Sequence, residues 1–381
     1  MPGQNRHFIY NMKRIVILIF VLPLLLSFLI SYSNAADADL ESIVRHDLSE
    51  AIDKNTLDVL EDIGLKDFST QEIYNISLSN ITNFFSETLE EKVMKCSENF
   101  FALFGAVMFI GIFSSLISSY ADEDFSGILC TLVLTLMTVK VVEDSLSAVV
   151  SALQLSGKFM LGFAPLYTMI ISLSGNTATA LTYNTFAVFI AELISSVISI
   201  GIVDFVGVYY CLGISFTMNE TINIGKFSFM INRIVNTVLG FTASLFTGYL
   251  SLKNILTASV DRISARSIRF LISSFIPVVG SSISEAYSSL VGSMDLIKSS
   301  VAVVGVLVIV IINTPIIIET LIYYLSFNLL SYLSDILSAN KVGNVLRVFS
   351  SGMRILLLLC VFEIFIIIIT TGIVVSVKSG G

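Results

Sequence analysis

Four carboxylates, Glu192, Asp204, Glu319 and Glu363, fall within or beside long apolar runs of this chain. A carboxylate near the middle of a bilayer is costly and is kept where it faces a cavity, a partner or a moving ion. The chemistry such residues offer is therefore proton or cation handling. Asp204 and Glu319 are the stronger candidates because their settings repeat: Tyr209-Tyr210 follows the first and Tyr323-Tyr324 the second. The competing reading sets both at an interface, within reach of water. Pro165, Pro277 and Pro315 also lie in apolar runs. Each removes a backbone donor and frees a carbonyl that lipid cannot satisfy. Pro165, and Pro277 with Gly280 close behind it, read as helix interruptions beside a cavity; Pro315 reads as a kink.

Other chemistries lack their residues. No G-x-x-x-x-G-K-[ST] phosphate loop occurs, nor H-E-x-x-H, nor G-x-S-x-G. Past the amino-terminal leader, His46 is the only histidine, which leaves few bases for acid–base catalysis. Cys96, Cys130, Cys211 and Cys360 are too far apart for a metal motif and read as small apolar residues. The expectation is a chain that is no enzyme, with no metal, no cofactor and no nucleic-acid partner.

The elements that must position these residues follow from composition. Of 381 residues, 55% are hydrophobic and 13% charged, with a mean hydropathy of +0.89. A soluble domain carries about 25% charged residues, so the partner of most of this surface is the lipid bilayer. The expected fold is all-α, a polytopic helical membrane protein with a cleavable signal peptide and a small acidic extracytoplasmic helical segment. Residues 1–35 hold Lys13 and Arg14, an apolar core from Ile15 to Ile30 and the small residues Ser33 and Ala35, as a secretory leader requires. An uncleaved first transmembrane helix is the alternative.

Residues 36–98 hold 15 of the 29 acidic residues. Ser69-x-x-Glu72 is a capping box, flanked by Phe68 and Ile73 as a hydrophobic staple. An earlier helix is expected over Leu40 to Ile52. Ile73, Ile76, Ile81, Phe84, Phe85, Leu89 and Val93 then recur at helical spacing. Two readings stand: a docking module for extracytoplasmic proteins, or a helical hairpin resting on the chain's own membrane domain.

Residues 99–381 form the membrane domain. A spanning helix needs about 20 mainly apolar residues. Phe100–Ser119, Gly127–Ala148, Phe186–Val203 with an extension to Phe216, Ile234–Leu252, Val301–Tyr324 and Ile355–Val377 qualify, with Phe159–Leu173 and Ile268–Val291 borderline. Basic residues favour the cytoplasm. Placing Arg262, Arg266 and Arg269 there together with Lys341, Arg347 and Arg354 requires an even number of crossings between them. That gives about seven to eight crossings in all. A faint echo at an offset near 114 residues, which also pairs Phe163-Ala-Pro165 with Phe275-Ile-Pro277, fits the paired interrupted segments of transport folds.

The order of parts resembles the stage III sporulation protein AE family of endospore-forming bacteria. The most specific match runs from Arg262-Ile-Ser-Ala-Arg266 through Phe275-Ile-Pro-Val-Val-Gly280 to Gly292-Ser293, Lys298 and Val303-Val-Gly305. It includes the apolar helix Phe104–Ser119 and extends more loosely over residues 36–377. The resemblance implies a subunit, export gate or scaffold, of a secretion-like channel complex in the mother-cell membrane around the forespore. It implies sister proteins of the same operon as partners, including a separate ATPase and ring-forming subunits. A homo-oligomer is compatible with it. The family brings no catalytic residues to carry over. The alternative from the residues alone is a self-contained, ion-coupled secondary transporter working through Asp204 and Glu319.

Overall fold

The computed structural model describes residues 49, 52–66, 72, 76, 78–117, 123–199, 201–218, 224–275 and 280–375. The leader, the capping box, most of the expected first helix and Pro277 lie outside them. Within them the chain is helical, with no strand: α1 Lys54–Ile63, α2 Leu78–Ile117, α3 Glu123–Leu173, α4 Thr177–Ser199, α5 Ile202–Thr217, α6 Ile224–Phe275, α7 Gly280–Ile336 and α8 Asn340–Val375. Five of them, α2, α4, α6, α7 and α8, are long and apolar enough to cross a membrane. The chain is an all-α, multi-pass membrane protein.

Helix ends do not follow the ends of the apolar runs. Gly127–Ala148 and Phe159–Leu173 belong to one 51-residue helix, α3, and Pro165 sits inside it without breaking it. Residues 149–158 between those runs include a Ser156-Gly157 pair, yet the helix continues through it. Phe186–Val203 is divided instead: α4 ends at Ser199 and Gly201, at φ 113°, turns the chain into α5. Such a left-handed backbone suits glycine and strains other residues. Ile268–Val291 is shared between the end of α6 and the start of α7.

The packing has a constant register. The amide of Asn313 on α7 donates to Ser156 Oγ on α3 at 2.9 Å. Two turns along, Gly305 leaves room for the Phe163 ring, so these helices are antiparallel. Further along α7, Asn328 Nδ2 donates to Ser350 Oγ at 2.6 Å and Ser331 Oγ to the Gly343 carbonyl at 3.1 Å, making α7 and α8 an antiparallel hairpin. α2 runs parallel to α7, with Lys92 at Glu319, Asn99 at Tyr323 and Gly111 at Leu337. Thus α7 is the central helix: 78% of its most apolar window is buried, against 6% for α6.

α6 and α8 are parallel. Tyr209 of α5 bridges Ser228 near the start of α6 and the Val348 carbonyl near the start of α8, and Asn254 donates to the Ile373 carbonyl at 3.3 Å. Arg262, Arg266 and Arg269 therefore lie past the carboxyl end of α8, while Lys341 and Arg347 lie at its amino end. Only α7 runs between the two basic clusters. The expectation that both share one side of the membrane does not fit this register.

The echo in sequence meets in space. Tyr210 packs at a tilt against Phe349 with centroids 5.4 Å apart, and Tyr323 reaches the same ring through Phe327, at 6.1 and 5.9 Å. The tyrosine pairs flank one segment of α8.

Nor is the acidic region a separate body. α2 is continuous across residues 98 and 99, and both α1 and α2 pack against α7. Ile76 and Ile81 are buried, but Leu89 and Val93 are about half exposed, because α2 turns its charged side onto Glu319 at that level. In its described residues the acidic segment thus packs on its own membrane domain.

Candidate functional site: buried polar groups between the helices

Glu319 is 4% exposed. Its Oε2 accepts from Lys92 Nζ at 3.1 Å and lies 3.5 Å from Lys95 Nζ. One turn further along α7, Tyr323 accepts from Asn99 Nδ2 at 2.9 Å. Two lysines at i and i+3 share one helix face, so α2 presents both to the one carboxylate. This arrangement clamps α2 to α7.

Asp204, its counterpart in sequence, is in a different place. It lies exposed in the first turn of α5, folded back against Gly201. A carboxylate there meets the positive end of the helix dipole, which accounts for it without an ion path. Pro165 also faces outward, next to Thr168 and Asn184 on the rim of a shallow pocket. Gly280 begins α7. Arg262 and Arg266 are exposed on α6 and Arg269 is half-buried; the Arg262 side chain donates to the Ala258 carbonyl of its own helix. The structure does not bring Pro165, Asp204, Glu319 and the arginines together into one site.

A different carboxylate holds the interior. Glu363 on α8 is 5% exposed and neither of its oxygens makes a hydrogen bond. Ser156 of α3 is the hydroxyl beside it. That hydroxyl already accepts from Asn313 Nδ2, which also bonds the Ile309 carbonyl at 3.0 Å, and Asn313 Oδ1 is unbonded. Glu363 also stands in the wall of a cavity of about 750 Å³ between α4, α6 and α8. Apolar side chains, aliphatic ones and the rings of Phe186, Phe241, Phe246 and Phe362, line most of it; Lys253 is the cation in its wall. Sequence reasoning noticed Glu363 but ranked it below Asp204 and Glu319. The usable signal was its place in the middle of the most apolar run near the carboxyl end.

Asp261 was missed altogether. It is 3% exposed and accepts from the Ala178 and Thr179 amides, at 2.8 and 3.0 Å, and from Thr179 Oγ1 at 2.7 Å. α6 thus caps the amino terminus of α4 from 82 residues away. Lys298, 1% exposed, pairs with Asp295 at 2.7 Å. Lys298 lies in the stretch that carried the family resemblance, and Asp261 directly precedes it. In sequence each reads as one more interfacial charge.

A family model described as Stage III sporulation protein AE matches residues 64–378. The stage III sporulation protein AE of Bacillus subtilis (strain 168) is 22% identical over 179 residues. That match covers 47% of this chain and 45% of the relative, so it spans less than half the relative's length. No solved structure matches. With the family model covering most of the chain, including α2 to α8, the protein belongs to the stage III sporulation protein AE family.

Proposed function

We propose that this chain is a membrane subunit, export gate or scaffold, of a secretion-like channel complex linking mother cell and forespore. Beyond family membership, the observation that carries the reading is the outward face of α6. Ile234, Val238, Leu252, Leu256, Ile263 and Phe270 are all exposed on it. From Ile234 to Phe270 that face is about 54 Å long at the helical rise per residue. The hydrocarbon core of a bilayer is about 30 Å thick, so lipid covers about half of the face. The remainder is an apolar surface of the kind that marks a protein contact.

The partners are sister proteins of the same operon, with a separate ATPase supplying the energy and ring-forming subunits outside the membrane. The site of action is the mother-cell membrane around the forespore, and the chain itself has no catalytic role. Like subunits side by side would cover the α6 face equally well. A second reading, an ion-coupled secondary transporter, draws on the unbonded oxygens of Glu363 and Asn313.

Native mass and composition of a tagged copy, extracted from sporulating cells in mild detergent, separate the two. A large assembly containing the ATPase and ring-forming proteins is the expected result. A bare monomer or dimer that stays bare under milder extraction would overturn it in favour of the transporter.

A further inference from the structure

Glu363, Asn313 and Ser156 come together from α8, α7 and α3, and their hydrogen bonds do not balance. Both Glu363 oxygens and Asn313 Oδ1 are buried acceptors with no donor. Asn313 Nδ2 is committed to Ser156 Oγ and to the Ile309 carbonyl, so the Ser156 proton is the one donor left beside them. An unsatisfied buried acceptor costs about 1–3 kcal/mol, and the single Ser156 proton can serve only one of the three, so the others call for a positive group. Oxygen-only ligands suit a proton or a hard cation. One carboxylate balances one positive charge, whereas a divalent ion would leave a net charge buried among apolar side chains.

We propose that Glu363, with Asn313 and Ser156, binds a single monovalent cation, H⁺ or Na⁺, reached through the apolar cavity between α4, α6 and α8. The titratable groups facing this carboxyl are few. On its own helix, Cys360 lies one turn back. From α6 the cavity wall presents Lys253, which makes no ion pair with Glu363, and Tyr249. α3 and α7 present the neutral Ser156 and Asn313, and α4 presents Thr182, Thr185 and apolar residues. The site does not depend on the chain's being an export gate, since a gate and a transporter would both use a bound ion to set helix positions.

The probe is dicyclohexylcarbodiimide, applied to the full-length chain in detergent. It is apolar enough to enter the cavity. The acid proton goes to one of its nitrogens and the carboxylate oxygen to its central carbon. The O-acylisourea so formed rearranges to an N-acylurea, so the whole reagent is gained and nothing leaves. Mass spectrometry is expected to find the adduct on Glu363, and Glu363→Gln to lose it. If the ion is H⁺, the labelling rate falls about tenfold per pH unit once the carboxyl ionises. If it is Na⁺, sodium slows labelling at fixed pH and potassium at equal concentration does not. Asn313→Ala and Ser156→Ala, which keep the carboxyl, are each expected to shift the pH or sodium dependence about tenfold, as one lost ligand of about 1.4 kcal/mol would. An unlabelled Glu363 from acid to alkaline pH overturns the proposal. So does a rate indifferent to both pH and sodium, or unchanged dependence in both variants.

Discussion

Lys92 and Glu319 stand 227 positions apart in sequence and 3.1 Å apart in space. The pair joins the region that holds most of the acidic residues to the central helix of the membrane domain. α2 is thereby held parallel to α7, and Asn99 and Tyr323 extend the same seam.

Breaking this pair from the acid side is the costly direction. Glu319→Gln leaves the Lys92 side chain, 15% exposed, with an unmatched charge, and removing one partner of a buried pair costs about 3–5 kcal/mol. Lys95, 60% exposed, can turn to water. Unfolding in mixed detergent is expected to show that loss. The double variant Lys92→Met, Glu319→Leu is expected to regain most of it.

The α3–α7 contact is tight at one point. A Cβ placed on Gly305 would run into the ring of Phe163, which is fixed in a stack with Phe159 at 5.2 Å and Tyr167 at 5.3 Å. Gly305→Ala is expected to cost about 1–3 kcal/mol by overpacking. Adding Phe163→Leu should relieve part of that cost, giving a measurable coupling in a double-mutant cycle.

Asp261 substitutes for a local cap on α4. Asp261→Ala leaves two amides and a hydroxyl without their acceptor, and the expected loss is at the upper end of the capping range, about 2 kcal/mol. Asp261→Asn keeps an acceptor oxygen and should lose less. Amide hydrogen exchange localised to residues 177–181 would report the change.

The two basic clusters lie at opposite ends of the bundle. In a cysteine-free background, single cysteines in place of Arg266 and Lys341 are therefore expected to react with an impermeant maleimide from opposite sides of the membrane. Reaction of both from one side would contradict the parallel register of α6 and α8.

Asp204 is the contrasting case to Glu363. Exposed at the start of α5, it contributes about 0.3–1 kcal/mol through the helix dipole. Asp204→Asn is expected to sporulate normally and to melt within a few degrees of the wild-type chain. A sporulation defect in a stably folded Asp204→Asn would restore it to the list of working residues.

Read alone, the sequence determined the class of the molecule. A charged fraction of 13% leaves too little polar surface for water to cover the chain, and apolar runs of about 20 residues without strand alternation make helices the only spanning solution. Arg262-Ile-Ser-Ala-Arg266 and Phe275-Ile-Pro-Val-Val-Gly280 were specific enough to point to the family. Hydropathy, however, averages along one dimension. It reports how apolar a stretch is, not where a helix stops, so the two runs within α3 read as separate elements and the turn at Gly201 passed unseen. Nor does it report what lies across a gap of 227 residues. Asp204 and Glu319 look alike beside their tyrosine pairs, yet the packing of α2 buries one and leaves the other in the open. Only the tertiary structure decided which carboxylate is clamped by lysines, which caps a neighbouring helix and which is left with bare oxygens. The reason is that a buried charge is settled by the groups that other helices bring to it, and those come from distant parts of the chain.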